Sequence, residues 1–256
     1  MIKKLTNENL DRFENICREL SAPIYKEAEG IGTYNEKRTH RAIKRFITED
    51  EACFEVKVGS SVADVLCDGV IYEIQTGSFY PLTKKIANYL ASSEYEVRVI
   101  YPIISSRRIV RVDKDTGEVI RSRMSSAKQN PSKILPELIY LSDVLKNRRL
   151  SFEIISISAE EHRYSDEIHR YRKSGKRDSE IFPISIEGIT LLETTEDFSS
   201  LLPNELLEKG EFTAAEFMKA SSIKSRRAYN ALGALCAAGV LEKQKNGKSA
   251  AKYKVV

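Results

Sequence analysis

Asp64 and Glu73 flank Asp68-Gly69, a dipeptide favoured in two-residue β-hairpin turns. A turn there pairs Cys67 with Val70, Leu66 with Ile71, Val65 with Tyr72 and Asp64 with Glu73. The two carboxylates then face each other on neighbouring strands, with β-carbons about 4.5–5.5 Å apart. Like charges directly opposite destabilise a sheet, and the flanking residues are apolar enough for central strands. A partly buried pair of this kind must share a proton, find cations or bind a metal. Gln75 points to the same face as Glu73. Two carboxylates and a side-chain amide oxygen form a hard oxygen site, suited to Mg2+ or Mn2+. Such an ion activates water and neutralises charge on a scissile phosphate. The plainer alternative has the strands splayed, or both acids facing solvent with Lys84 or Lys85 beside them. The apolar runs Val62–Val65 and Val70–Ile74 weigh against a solvated face.

A second group precedes the hairpin. Glu36, His40 and Lys44 recur every four residues, so on a helix they share a face. Beside the apolar stripe of that helix they can supply a third carboxylate and a phosphate-binding or acid–base histidine. Taken alone, the same stripe reads as a solvated salt-bridge face. Lys84 and Lys85 open the helix after the hairpin, where one can contact a phosphate.

The elements that must position these residues follow from periodicity. Leu5 to Leu20 and Glu36 to Ile47 read as amphipathic helices, the second burying Thr39, Ala42, Ile43, Phe46 and Ile47. Strand-like runs Cys53–Val58, Val62–Cys67 and Val70–Thr76 come next, then a helix from Leu82 to Ala91 and a strand Glu96–Ile103, ended near Pro102. That order indicates an α/β fold with a mixed sheet. Further on, Arg108–Val112 and Val119–Arg123 flank a hairpin turn at Asp115-Thr116-Gly117, Ile134–Leu145 reads as a helix, and Leu150–Ser158 as a strand. His162 to Arg177 is strongly basic without apolar periodicity and reads as an exposed loop.

Glu36 on a first helix, Asp64 on one strand, Glu73-Ile74-Gln75 on the next and Lys84/Lys85 on the following helix resemble the PD-(D/E)XK nuclease core. The context His40-x-x-x-Lys44, Ala63-Asp64-Val65 and Glu73-Ile74-Gln75 is similar to the competence-associated, CoiA-like branch. The resemblance covers roughly residues 30 to 103. It implies a restriction-endonuclease-like, four-stranded mixed sheet flanked by helices and Mg2+-dependent (or Mn2+-dependent) phosphodiester cleavage. Asp64 and Glu73 would then be metal ligands, with Glu36 a third. Where most members of that family carry lysine, this chain has Gln75, which brings no positive charge to an attacking water.

The C-terminal end carries its own signals. Thr213-Ala214-Ala215-Glu216 is a capping box, followed by a short helix, a turn and a longer helix from Ser225 to Ala238 that buries Ala228, Ala231, Leu232, Leu235 and Cys236. Two strands then surround Asn246-Gly247. Between Phe212 and Val256 there are nine basic and two acidic residues, a surplus of +7 in a chain whose net charge is +4. The preceding Ser179–Glu211 stretch is acidic. Helix, turn, helix and basic hairpin resemble a winged helix-turn-helix domain. That resemblance implies that Lys224, Ser225, Arg226, Arg227 and Asn230 present a recognition helix to DNA, and that Lys243, Lys245, Lys248 and Lys252 line the wing. The alternative is a winged helix used for protein contacts.

The expected organisation is a nuclease-like α/β domain with an extension over 1–200, a linker over 201–211 and a winged-helix domain over 212–256. The expected partner is DNA, chiefly double-stranded, with homodimerisation left open. No run of about 18 apolar residues predicts a membrane span. The polar start and four cysteines without a CxxC pair predict a cytoplasmic chain with reduced thiols.

Overall fold

The computed structural model describes residues 5–21, 34–113, 116–165, 179–244 and 250–256, without the side chains of 34–37 and 165. Contacts divide them into two compact units. One holds the described parts of Met1–Glu51, Pro102–Asn130 and Ile155–Ile189; the other holds those of Ala52–Tyr101, Pro131–Ile154 and Thr190–Val256.

In the first unit, helix α1 (Asn7–Ser21) buries Phe13, Ile16, Cys17 and Leu20, and α2 (Tyr34–Ile47) buries Thr39, Ala42, Ile43 and Phe46, while Ile47 is half-buried. Phe13 and Phe46 meet edge to face at 5.2 Å, a favoured aromatic geometry. The second unit opens with β1 (Phe54–Val58), β2 (Ser61–Cys67), β3 (Val70–Ile74) and α3 (Leu82–Ser92). Three strands run from one unit into the other: β4 (Glu96–Asp113), β6 (Leu150–Ser165) and β7 (Ser179–Leu192). The sheet order is β1-β2-β3-β4-β6-β7, with β5 (Val119–Met124) added to β4, making seven strands. β1–β2 and β2–β3 are antiparallel and β3–β4 parallel, so the sheet is mixed. The β2–β3 register pairs Val65 with Tyr72, Leu66 with Ile71 and Cys67 with Val70, as the turn chemistry predicts. Asp68 and Gly69 both adopt left-handed φ, +50° and +77°, as a type I′ turn requires.

Several elements differ from expectation. β4 does not stop at Pro102. β3 partners it only to Ile100 and β5 only from Arg108, so the proline falls where neither of those ladders needs its missing N–H. Ile134–Leu145 is not one helix but a short turn, α4 (Leu135–Leu138), between 3-10 turns. The basic segment read as a loop from His162 is strand as far as Ser165, and 166–178 lie outside the described residues. Over 201–211, read as a linker, the chain instead forms α6 (Asn204–Lys209) after α5 (Thr195–Ser199), and buries Leu201, Leu202 and Leu206. Beyond it, β8 (Glu211–Thr213), α7 (Ala214–Ser221), α8 (Ser225–Ala237), β9 (Leu241–Gln244) and β10 (Lys252–Val255) follow, the three strands forming a sheet in the order β8-β10-β9. α8 lies close against the Ile134–Leu141 turns: a Cβ on Gly233 would stand 3.0 Å from Ile139.

The turn that sets the β2–β3 register is open to test. A Cβ at Gly69 meets nothing within 4 Å, so Gly69→Ala adds only left-handed strain. It should cost about 1–2 kcal/mol, while Gly77→Ala, equally open and without positive φ, should leave the melting temperature within about a degree of wild type.

Candidate functional site

The register that pairs Val65 with Tyr72 carries Asp64 and Glu73 to facing positions at the open end of the hairpin. Asp64 Oδ2 accepts the Ile74 backbone N–H at 2.8 Å, so the side chain holds the adjacent strand. Glu73 lies on β3, between β2 and β4, with its side chain 2 % exposed. Isolated, that carboxylate would carry a heavy desolvation penalty. Two α3 residues meet it. Lys85 Nζ stands 2.6 Å from Oε2, and the Tyr89 hydroxyl donates to Oε1 at 2.9 Å. Lys85 and Tyr89 are four apart and share a helix face, which Leu82 and Ile86 anchor in the core. Lys84 projects to the exposed side.

These contacts do not return Glu73 to its ordinary value. Burial first, and then the charge of Asp64, push Glu73 up to about 7 despite Lys85 and Tyr89, which pull it down. Burial and the charge of Glu73 push the Tyr89 hydroxyl well above its ordinary value. Gln75 continues β3: its N–H donates to Ile100 at 2.9 Å and its Nε2 to the Ser78 carbonyl at 2.6 Å.

Of the residues singled out by sequence, Asp64, Glu73, Gln75 and Lys85 therefore gather at one end of β3, while Lys84 is turned away. His40 is half-buried on α2 in the first unit, and the Glu36 side chain lies outside the described residues. Tyr89 was missed; its place four residues after Lys85 on a helix was the available signal. Glu55 was missed too. It sits between the pairs Phe54–Val65 and Val56–Ala63, hence opposite Asp64, with a left-handed φ of +50°. Its charge also raises Tyr89. No group of three or more histidine, cysteine or acidic side chains placed to hold a metal occurs among the described residues. The facing pair itself is a hard oxygen donor set.

The other face of β3 carries a separate buried charge. Tyr72 pairs with Arg98 on β4. Arg98 donates to Ser151 at 3.0 Å and to Glu193 at 3.1 Å, and lies 3.7 Å from Glu153. Burial pushes Glu153 up to about 7 against the pull of Arg98.

At the C-terminal end, Lys224, Ser225, Arg226 and Arg227 are exposed at the start of α8, and Asn230 is half-buried. The first turn holds no acid, and Lys224 at the N-cap makes no side-chain cap hydrogen bond. Arg227 lies 3.5 Å from Glu137. Lys243 is exposed on β9, whereas Lys252 is ion-paired with Glu211. Lys245, Lys248 and the Asn246-Gly247 turn lie outside the described residues.

Fold and site together define a mixed α/β protein with a buried carboxylate, Glu73, facing Asp64 on a hairpin. The chain belongs to the family described as a domain of unknown function, DUF8091, whose model matches residues 37–193. The match takes in the hairpin and α3 and stops before α5. No curated protein and no solved structure matches the chain. No described helix is long and apolar enough to cross a membrane.

The raised carboxyl links stability to pH. Glu73 binds its proton more tightly in the fold than in the unfolded chain, so its contribution is fully present below about 4.5 and is lost as pH rises through about 7. Urea unfolding at pH 4.5 and pH 8 should show wild type losing on the order of 3 kcal/mol more than Glu73→Gln across that interval. Equal losses would remove Glu73 as the source.

Proposed function

We propose that the protein is a DNA-binding, divalent-metal-dependent phosphodiesterase of the PD-(D/E)XK type, with residues 211–256 acting as a winged helix that grips the duplex. The observation that carries this reading is Glu73: a buried carboxylate facing Asp64, still short of positive charge after Lys85 and Tyr89 have reached it. The strand order agrees, since an antiparallel hairpin followed by a helix and a parallel strand is the arrangement expected of that nuclease core.

Asp64 and Glu73 would hold the Mg2+ or Mn2+. Once bound, the ion polarises water and offsets charge on the scissile phosphate. The chain's own contributions are separate. Tyr89 fixes one oxygen of Glu73 and Lys85 the other, so the carboxylate cannot rotate freely. Lys85 is the cation on this face, in the role that lysine at the Gln75 position fills in most relatives of that type. Gln75, tied to Ser78, orients water without charging it. At the C-terminal end, Lys224 and Arg226 add positive charge to a helix N-terminus that already carries a partial positive charge. Phosphate relieves that repulsion, and the exposed N–H groups of the first turn can donate to it.

A second reading, a DNA-binding protein whose nuclease-like site no longer cuts, draws on the occupancy of both Glu73 oxygens by Lys85 and Tyr89 and on the neutral Gln75. One titration separates the two. Purified protein should nick or cut DNA with Mg2+ or Mn2+, and Asp64→Ala/Glu73→Ala should abolish cleavage while leaving salt-dependent DNA binding intact. Equal cleavage by wild type and variant would sink the catalytic reading. Calorimetry supplies an independent check: Mn2+ at about 100 times its dissociation constant should stabilise the wild type by about 2.7 kcal/mol, and not the double variant.

A further inference from the structure

β5 lies off the main path of the sheet and pairs only with the far half of β4. All six of its residues are exposed, and it pairs with Arg108–Val112 as an edge ribbon of the sheet within the first unit, β6 lying on the other side of β4. Its register places Ile109 opposite Arg123 and Arg111 opposite Arg121. Directly opposed residues point to one face, as do alternate residues along a strand. Arg111, Arg121 and Arg123 therefore share a face.

That placement is unfavourable without a ligand. Arg111 and Arg121 are like charges in direct cross-strand opposition, which weakens a sheet. No ion pair compensates any of the three among the described residues. Of the nearby acids, Glu160 pairs with Arg108, Glu161 with Arg107 and Arg163, and Asp113 accepts the Thr116 N–H in the turn, while Glu118 at the end of the hairpin forms no ion pair with the three arginines. A charged residue or two suffices to protect an edge strand from pairing; three guanidinium groups gathered on one face do more than that.

We propose that this ribbon is a second DNA-contact surface, with Arg111, Arg121 and Arg123 binding backbone phosphates of duplex DNA. Guanidinium groups bind phosphate in bidentate fashion, and an exposed edge strand can lay them along a DNA backbone. Arg121 and Arg123 are two residues apart, an advance of about 6.8 Å along the strand, which is twice the roughly 3.4 Å axial spacing of phosphates on one DNA strand. The proposal rests on the reading of the protein as DNA-binding, but on residues distinct from α8 and from the Asp64–Glu73 pair. It gives a role to a hairpin that neither the carboxylate site nor the C-terminal domain uses.

The test is fluorescence anisotropy of the full chain on a labelled 30-base-pair duplex (about three helical turns) over a range of salt. Arg111→Ser/Arg121→Ser/Arg123→Ser should bind at least about tenfold more weakly near 0.1 M salt, with the slope of log affinity against log salt reduced by about 2 to 3, since each phosphate contact contributes about 0.9. Replacement of the same three by lysine should keep the slope. A serine variant with wild-type affinity and slope overturns the proposal. Arg226→Ala/Arg227→Ala separates it from the C-terminal reading. Loss of binding in that variant alone leaves α8 standing and the ribbon wrong, whereas loss in the ribbon variant alone does the reverse. Absence of any binding by wild type at low salt overturns both. If light scattering shows a wild-type dimer that becomes monomeric in the serine variant with no change in the salt slope, the ribbon is an edge for self-association and not a DNA surface. The three side chains are exposed, so the serine variant should melt no lower than wild type. Should it fail to fold, Arg121→Glu, which sets a carboxylate opposite Arg111, is expected to fold and still lower the slope by about 2.

Discussion

A carboxylate inside a central β-strand is the constraint around which the second unit is arranged. β3 lies between β2 and β4, and four of its five residues are buried. A charge there can persist only if neighbouring elements bring it hydrogen-bond partners and positive charge. α3 does this with two side chains one turn apart, and can do so because it follows β3 directly and must cross that face to start a parallel β4. Asp64 meets the same demand differently, taking the Ile74 N–H and so fastening the hairpin where the β2–β3 ladder ends. Nevertheless burial and the facing Asp64 hold the Glu73 carboxyl above its ordinary range. A structural ion pair could have been completed by a second lysine at Gln75. The chain places an amide there.

The hairpin was legible because its information is local. Asp-Gly fixes the turn, the turn fixes the register, and the register fixes which side chains face each other. Lys85 was legible only as one of two lysines, since choosing between it and Lys84 requires the phase of the α3 stripe set by Leu82 and Ile86. Elements decided by distant partners were harder to read. Pro102 looks like a strand end, yet β4 passes through it. β7 escaped notice for a related reason: Pro183 and Gly188 interrupt its apolar alternation, and a proline is tolerated because β7 closes the sheet as an edge. The Ile134–Leu145 run has helical spacing, yet it forms only one short helical turn between 3-10 turns, lying close against α8 at Gly233.

The acidic stretch before the C-terminal elements shows most clearly what composition conceals. Read as a connector, Ser179–Glu211 looks like a solvated charge run. In the fold four of its eight acids are partners within their own units: Glu180 for Arg38 and Tyr164, Glu187 for Ser105 and Ser106, Glu193 for Arg98, and Glu211 for Lys252. The C-terminal surplus shrinks by the same kind of pairing, since Lys252 meets Glu211 and Arg227 approaches Glu137.

Net charge is therefore a poor guide to where a polyanion would bind, and unrelieved repulsion is a better one. Paired charges on a surface contribute little in either direction. A repulsion left standing in the free protein is different, because a ligand of opposite sign gains its own contact energy and removes a cost the fold was already bearing. The start of α8 is such a place, where Lys224 and Arg226 reinforce the positive end of a helix with no acid in its first turn. Buried Glu73, facing Asp64, presents the same problem with the sign reversed, in a setting where low dielectric enlarges it. A phosphodiester with its divalent cation offers negative charge to the first and positive charge to the second. That correspondence is the argument for the proposed substrate class: it would relieve both repulsions, which solubility or sheet stability alone does not require.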